Sequence, residues 1–198
     1  MELVHLFKQG GIVMYPLVLL SFIALAVFFE RMLFYRGLDI SAARMQELFG
    51  YIKQADKDSI EAMATKKAGD VLDITQSYFA SEQEQQDKVQ TLETMVNVKT
   101  MAYGENLAFL NIIITLAPLL GLLGTILGII SSFKVFDLKD GASHFAITSG
   151  VGEALIATAF GLIVAMFALV LYGILKFYIG KLEKKLAVCC VMLLGSQK

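Results

Sequence analysis

Charge is scarce in this sequence. Only 18% of the 198 residues are Asp, Glu, Lys or Arg, and 17 Lys+Arg against 18 Asp+Glu leave a formal net charge of -1. Without a basic excess the chain has no electrostatic footprint for a phosphate backbone, so nucleic acid is not expected as a partner. Histidine and cysteine are nearly missing too. His5 and His144 stand far apart, and Cys189 and Cys190 are adjacent. That pattern gives neither a disulfide framework nor the spaced ligands of a zinc or haem site, so no metal and no cofactor are expected. The two cysteines read as small apolar residues. An intramembrane enzyme also lacks material, since Ser131, Ser132 and Ser149 have no base among only two histidines. What the chain has in abundance is apolar residues: 57% hydrophobic and a mean hydropathy of +0.66, well above an ordinary soluble domain.

Those residues gather in three runs: Ile12 to Phe29, Leu107 to Phe133, and Phe145 to about Leu175. Each is close to or above the ~20 residues that a helix needs to cross hydrocarbon. The expected fold class is therefore an all-α integral membrane protein with three transmembrane helices. The first run lacks a basic start and an Ala-x-Ala cleavage site and continues into Glu30 and Arg31, so it reads as a retained span rather than a signal peptide. At ~1.5 Å per residue, about 30 residues span ~45 Å, so the last two helices exceed the bilayer and project beyond it. Lys176, Lys181, Lys184 and Lys185 continue the third pattern. Together with Arg31, Arg36, Arg44 and Lys99 they outweigh Lys8, Lys134 and Lys139, which Glu2, Asp137 and Asp140 offset. The positive-inside rule then puts residues from about 36 to 104 and the C-terminus in the cytoplasm.

The segment between the first two spans contains no Pro and reads as helix over Ser41 to Ala55, Ser59 to Lys67, and from Asp70 onward, with Gly69 as break and N-cap. No Gly or Pro interrupts Asp70 to Tyr103, so one helix is expected to run unbroken toward the second span, with Gly104 its only soft point. Glu82, Glu84, Asp87 and Lys88 read as a solvated face.

Within the spans the small residues fall into stripes. At ~100° per residue, Ala117, Pro118, Gly121, Gly124, Thr125, Gly128 and Ser132 share one face of the second span, leaving Leu119, Leu122, Leu123, Ile126 and Ile129 on the other. On the third span Ala154, Ala157, Thr158, Gly161, Ala165 and Ala168 do the same, with Glu153 at the stripe's edge. Helix packing accounts for most of these positions, because lipid supplies no hydrophobic drive between helices. It does not account for Glu153, an acid inside a span that needs a cavity, a partner or water. A lumen is therefore expected, lined by Thr125, Thr158 and Glu153 and by the small face of Gly121, Gly124, Gly128, Ala154, Gly161 and Ala165. Pro118 frees a carbonyl near Ile114, so a kink is expected there.

Three stretches, GGIVMYPLVLLSFIALAVFFER (Gly10 to Arg31), APLLGLLGTILGIISSF (Ala117 to Phe133) and GVGEALIATAFGLIVA (Gly150 to Ala165), resemble the ExbB/TolQ/MotA proton-channel family. The N-terminal run leans toward ExbB over TolQ. MotA-type stators have four spans, so the count of three favours the ExbB/TolQ branch. One departure is VAMFA at Val164 to Ala168, where the family often has VAIPA.

The resemblance implies an ion-driven subunit of the bacterial inner membrane that works as a homo-oligomer, a pentamer around a pore. The pore would hold the single spans of an ExbD-like or TolR-like dimer, whose Asp titrates. The work would pass to a TonB-like or TolA-like protein, with ExbB-type powering of TonB-dependent outer-membrane transport as the leading role. A TolQ-like envelope-maintenance motor and a non-conducting scaffold are the alternatives. By position the resemblance makes Thr125 and Thr158 the hydroxyls near that Asp, and Glu153 the acid lining the same lumen. The organisation expected is a periplasmic segment 1-11, span 12-35, cytoplasmic helices 36-104, span 105-134, periplasmic loop 135-144, span 145-178 and cytoplasmic tail 179-198, with lipid around the spans.

Overall fold

A computed structural model of the chain describes residues 10–54, 56–66, 69–81, 85–138 and 144–195, without the side chains of 57, 64–66, 85–86, 134–138, 144–150 and 153. The described residues form helices and no strand: α1 (Met14–Leu38), α2 (Ala42–Gln54), α3 (Lys57–Lys66), α4 (Asp70–Ala80), α5 (Gln85–Gly104), α6 (Leu107–Leu138) and α7 (His144–Gly195). The chain is an all-α membrane protein, with three helical stretches long and apolar enough to cross a bilayer. At 52 residues α7 is ~78 Å long, more than twice the hydrocarbon thickness, and residues 179 to 195 simply continue it.

The chain divides into two compact units. One, the apolar unit, comprises the chain up to Phe29 and Asn106–Ile174; the other, the polar unit, comprises Glu30–Glu105 and Leu175–Lys198. In the apolar unit the buried positions along Ala117 to Gly124 of α6 and Ala154 to Ala168 of α7 are Ala and Gly, with Val164 the exception, while Leu119, Leu122, Leu123, Leu155, Leu162 and Ile163 are exposed. Water would penalise that arrangement, whereas lipid tails are as apolar as Leu and tolerate it.

The polar unit is built the usual way round. Met45, Leu48 and Ile52 recur at i, i+3 and i+7 on α2 and are buried, and α2 contacts α3. Ser41 precedes α2 and accepts from the Arg44 N–H at 3.4 Å. Asp56 opens α3 by accepting from the Ser59 N–H at 3.2 Å and from its hydroxyl at 2.6 Å, as an N-cap does. The helices expected over Ser41 to Ala55 and Ser59 to Lys67 thus appear as α2 and α3.

The single helix expected from Asp70 to Tyr103 does not form. α4 ends at Ala80, and Ser81 turns extended at φ -74° and ψ 126°. α5 returns antiparallel, with Lys99 on Asp70 and the Lys88 ammonium 5.9 Å from the Tyr78 ring centre. The reason is burial. α4 carries Val71, Leu72, Ile74 and Tyr78, all buried, and folding back on α5, where Leu92 is buried as well, covers part of that surface. That gain outweighs the propensity of a Gly- and Pro-free sequence to continue as helix. Glu82 and Glu84 lie outside the described residues.

Candidate functional site

The small stripes of α6 and α7 meet each other within one chain. A Cβ built on Gly161 would stand 2.6 Å from the Ala117 carbonyl oxygen and 3.0 Å from Gly121 Cα; one on Gly121 would stand 3.0 Å from Thr158 Cα. On Gly124 it would lie 2.6 Å from the Ala157 Cβ, and on Gly128 2.7 Å from the Ala154 Cβ. The two backbones touch, and only glycine lets them. Gly121, Gly124, Gly128, Ala154, Ala157 and Gly161 therefore form one seam, with Val13 closing on Gly124 from the segment before α1. Ala165 and Ala168 are buried further along α7. Beside the seam a cleft of about 250 Å³ is bounded by Gly10 to Val13, Leu127, Ser131 and Ala154.

The two threonines sit where the seam is still half-open. Thr158 Oγ1 donates across to the Gly121 carbonyl at 2.9 Å, and Thr125 Oγ1 donates within its own helix to Leu122 at 2.7 Å. Each hydroxyl has one hydrogen, so both are committed to backbone oxygens and each oxygen retains only acceptor capacity. The Ser132 hydroxyl likewise donates to the Gly128 carbonyl at 2.8 Å. Pro118 is half-buried inside α6, and the helix continues on both sides of it. Glu153 occupies α7 one residue before Ala154, and its side chain lies outside those described.

A second polar cluster, absent from the expectations above, fills the polar unit. Asp70 accepts from Tyr103 at 2.8 Å and from Lys99, which also donates to Asp73 at 3.1 Å. Tyr35 donates to the Tyr103 carbonyl at 2.7 Å, and Arg31 donates to that of Ala102 at 3.3 Å. Burial, reinforced by the Asp70 carboxylate, holds the Tyr103 phenol far above its ordinary value. Burial would depress the Lys99 ammonium, but its bonds to Asp70 and Asp73 outweigh that and raise it. Asp39, which burial alone would raise, is held below the usual carboxylate range by Lys185 and Lys181. The signals for this cluster were a cation, Arg31, closing an apolar run, and an acid, Asp70, on the buried face of α4.

Deeper in the same unit Cys189 is buried beside the Thr75 hydroxyl at 3.3 Å, and burial pushes its thiol up to about 11. Among the described residues no three His, Cys, Asp or Glu side chains stand close enough to hold a metal ion.

Residues 41–187 match the sequence profile of the MotA/TolQ/ExbB proton channel family. The chain belongs to that family. Among MotA/TolQ/ExbB relatives, it is 36% identical over 178 residues to the putative biopolymer transport protein ExbB-like 1 of Synechocystis, which covers 85% of this chain and 68% of that one. It is 29% identical over 184 residues to the biopolymer transport protein ExbB of Salmonella typhimurium, covering 88% and 75%. A shorter match, 34% over 76 residues, links 38% of the chain to 33% of the Tol-Pal system protein TolQ of Haemophilus influenzae. The resemblance carried by the three motifs is therefore borne out, with ExbB-named relatives matching over most of the chain and TolQ over a part.

Proposed function

We propose that this protein is the ring-forming subunit of a proton-motive-force-driven motor of the ExbB–ExbD type in the bacterial inner membrane. Its N-terminus would lie in the periplasm, with the polar unit and C-terminus in the cytoplasm. Five copies would enclose the single spans of an ExbD-like dimer and drive a TonB-like protein for outer-membrane transport. The observation that carries the reading is the Thr158 hydroxyl, half-open and bonded across the glycine seam to Gly121 in a member of a proton channel family.

The chemistry follows from what each hydroxyl has left to offer. Thr125 and Thr158 present lone pairs, so they accept from a protonated partner carboxyl. An ionised carboxylate in the same place finds no donor until a threonine releases its carbonyl or water enters, and an unpaired ion in low dielectric is costly. Protonation thus decides where the partner helix rests against the wall. Each proton that crosses ~100 mV releases ~2.3 kcal/mol, and several per step do work on an envelope protein. Glu153 is assigned to the same lumen, one helical step from the seam. Pro118 is assigned a bend in α6 that tilts the wall.

Two rival readings remain distinct. The short TolQ match favours a TolQ-like envelope-maintenance motor with TolR-like and TolA-like partners as the second choice. The close seam by itself would also serve a non-conducting scaffold. The deciding experiment reconstitutes the full chain with its single-span partner in vesicles and measures ion flux for Thr158→Val, Thr125→Val and Glu153→Ala. A motor loses flux about ten-fold or more in at least one variant while the complex still assembles. No flux from the unsubstituted complex leaves the scaffold standing, and flux unchanged in all three variants overturns the assignment of these residues to the ion pathway. Loss of envelope integrity rather than of TonB-dependent uptake in cells carrying these variants selects the TolQ-like role.

A further inference from the structure

Arg44 stands where helix electrostatics disfavours it. It is the third residue of α2, and the first turn of that helix holds no acid. The N-terminal end of a helix carries partial positive charge, so a cation there is disfavoured and an anion favoured. Asp39, the acid just upstream, accepts from Lys181 and Lys185 instead. Glu47, three residues on, lies within pairing reach along the helix. It accepts from the Tyr51 hydroxyl at 3.0 Å, and the Arg44 guanidinium makes no ion pair or hydrogen bond among the described residues.

Arg44 and Glu47 both border a cleft of about 320 Å³ that lies wholly within the polar unit, between α2, α3 and the start of α4. That is the small end of the ~300–1,000 Å³ range of small-molecule sites. Its apolar lining is the half-buried Met63 of α3 with the buried Leu48 of α2 and Leu72 of α4. One wall thus offers a cation at the positive end of a helix and an anion about one turn along, and the rest offers hydrocarbon.

This arrangement sorts ligands by charge. A simple anion gains Arg44 but meets Glu47, and a simple cation gains Glu47 but meets Arg44. A neutral apolar molecule covers two charges and pairs neither, which is costly. A small molecule that carries both charges on one apolar body satisfies every group.

We infer that this cleft binds a free α-amino acid with an apolar side chain, its carboxylate on Arg44, its ammonium on Glu47 and its side chain against Met63 and Leu72. The guanidinium presents paired N–H donors that match a carboxylate. The ammonium donates to the Glu47 carboxylate, which Tyr51 already steadies. A second charge on the ligand's side chain would be left unpaired against the apolar lining. No residue of this site belongs to the glycine seam, so it stands or falls independently of the ion pathway proposed above.

The test is equilibrium binding of radiolabelled L-leucine to the full chain in lipid nanodiscs. Saturable binding is expected, with isoleucine and methionine competing about as well as leucine, and lysine and glutamate about ten-fold less well. Leucinamide lacks the carboxylate and 4-methylpentanoate lacks the ammonium. Each should compete about ten-fold less well, the worth of one hydrogen-bonded charge. Arg44→Gln should weaken leucine about ten-fold without weakening leucinamide, and Glu47→Gln should weaken leucine without weakening 4-methylpentanoate. Both side chains are exposed, so these variants should melt as the parent does, and the two analogues test the same contacts on the unsubstituted chain. No saturable binding below about 10 mM, equal competition by leucinamide, or leucine affinity unchanged in both variants overturns the site. Stronger competition by glycerophosphoethanolamine than by leucine overturns the amino acid and makes the cleft a lipid-headgroup site.

Discussion

Leu122 and Leu48 are the same side chain in opposite circumstances. Leu122 is 54% exposed on α6 of the apolar unit, and Leu48 is 0% exposed on α2 of the polar unit. Around Leu122 the interior is glycine, alanine and threonine; the interior of the unit that holds Leu48 is mainly isoleucine, leucine and tyrosine, with Arg31 and Asp70 as buried charges. The difference teaches which solvent each unit was selected in. Where lipid is the solvent, burying a large side chain gains little and backbone contact decides. Where water is the solvent, the large side chains go in. Leu48→Ala is therefore expected to destabilise the polar unit by about 2–5 kcal/mol through the lost burial and the cavity. Leu122→Ala is expected to change the stability of the folded chain by less than about 0.5 kcal/mol. Thermal unfolding of the full chain in one detergent compares the two directly, and similar losses at both sites would erase the contrast.

Glycine substitutions sharpen the comparison at the next magnitude down. Gly161→Ala would place a methyl 2.6 Å from the Ala117 carbonyl oxygen and 3.0 Å from Gly121 Cα, backbone atoms that cannot swing aside. The strain should be about 1–3 kcal/mol, enough to part α6 from α7 locally. Gly50→Ala in α2 meets nothing within 4 Å and should stabilise by about 0.5–1 kcal/mol, the helix-propensity difference alone. The same change of one methyl thus has opposite signs in the two units, and melting curves of the two variants read the sign.

How much of this was legible in the sequence follows the same division. The α6 and α7 stripes could be found by counting, because their periodicity is local and every member of a stripe is of one kind. That the two stripes close on each other, with Thr158 bonded to Gly121, was not legible, since a small face looks the same whether it awaits its own chain or another. In the polar unit α2 and α3 were readable as helical stretches of a mixed-charge segment without proline. The turn after Ala80 was not, because it is set by burial of Ile74 and Tyr78 against α5 rather than by any Gly or Pro. Arg31, Tyr35 and Asp70 escaped for a related reason: their partners lie 71, 68 and 33 positions away, beyond anything periodicity reports.

Titration separates the units without mutation. The ion pairs of Asp39 and Lys99 all lie in the polar unit. Asp39 has its folded pKa below the ordinary value of 3.8, so its contribution is full above that pH and lost as pH falls through the folded value. Lys99 has its folded pKa above 10.5, so its contribution is full below that pH and lost as pH rises through the folded value. Protease susceptibility followed against pH should therefore rise first in the polar unit at both extremes. Asp39→Asn should flatten the acid limb alone, and Lys99→Met the alkaline limb alone.

The smallest effect concerns two neighbouring atoms inside that unit. Cys189 and Cys190 are successive residues of α7, so they point about 100° apart, one into the core and one toward its edge. Burial pushes the Cys189 thiol up to about 11, and burial raises Cys190 as well, though it is only half-buried. Because the thiolate is the nucleophile, both should alkylate slowly at pH 8, but Cys190 should take iodoacetamide several-fold faster in the native chain. Mass spectrometry then shows a single label at Cys190 before unfolding and two labels after it. Early labelling of Cys189 would mean that the contact with Thr75 opens often, and that this end of the polar core is looser than its buried side chains imply.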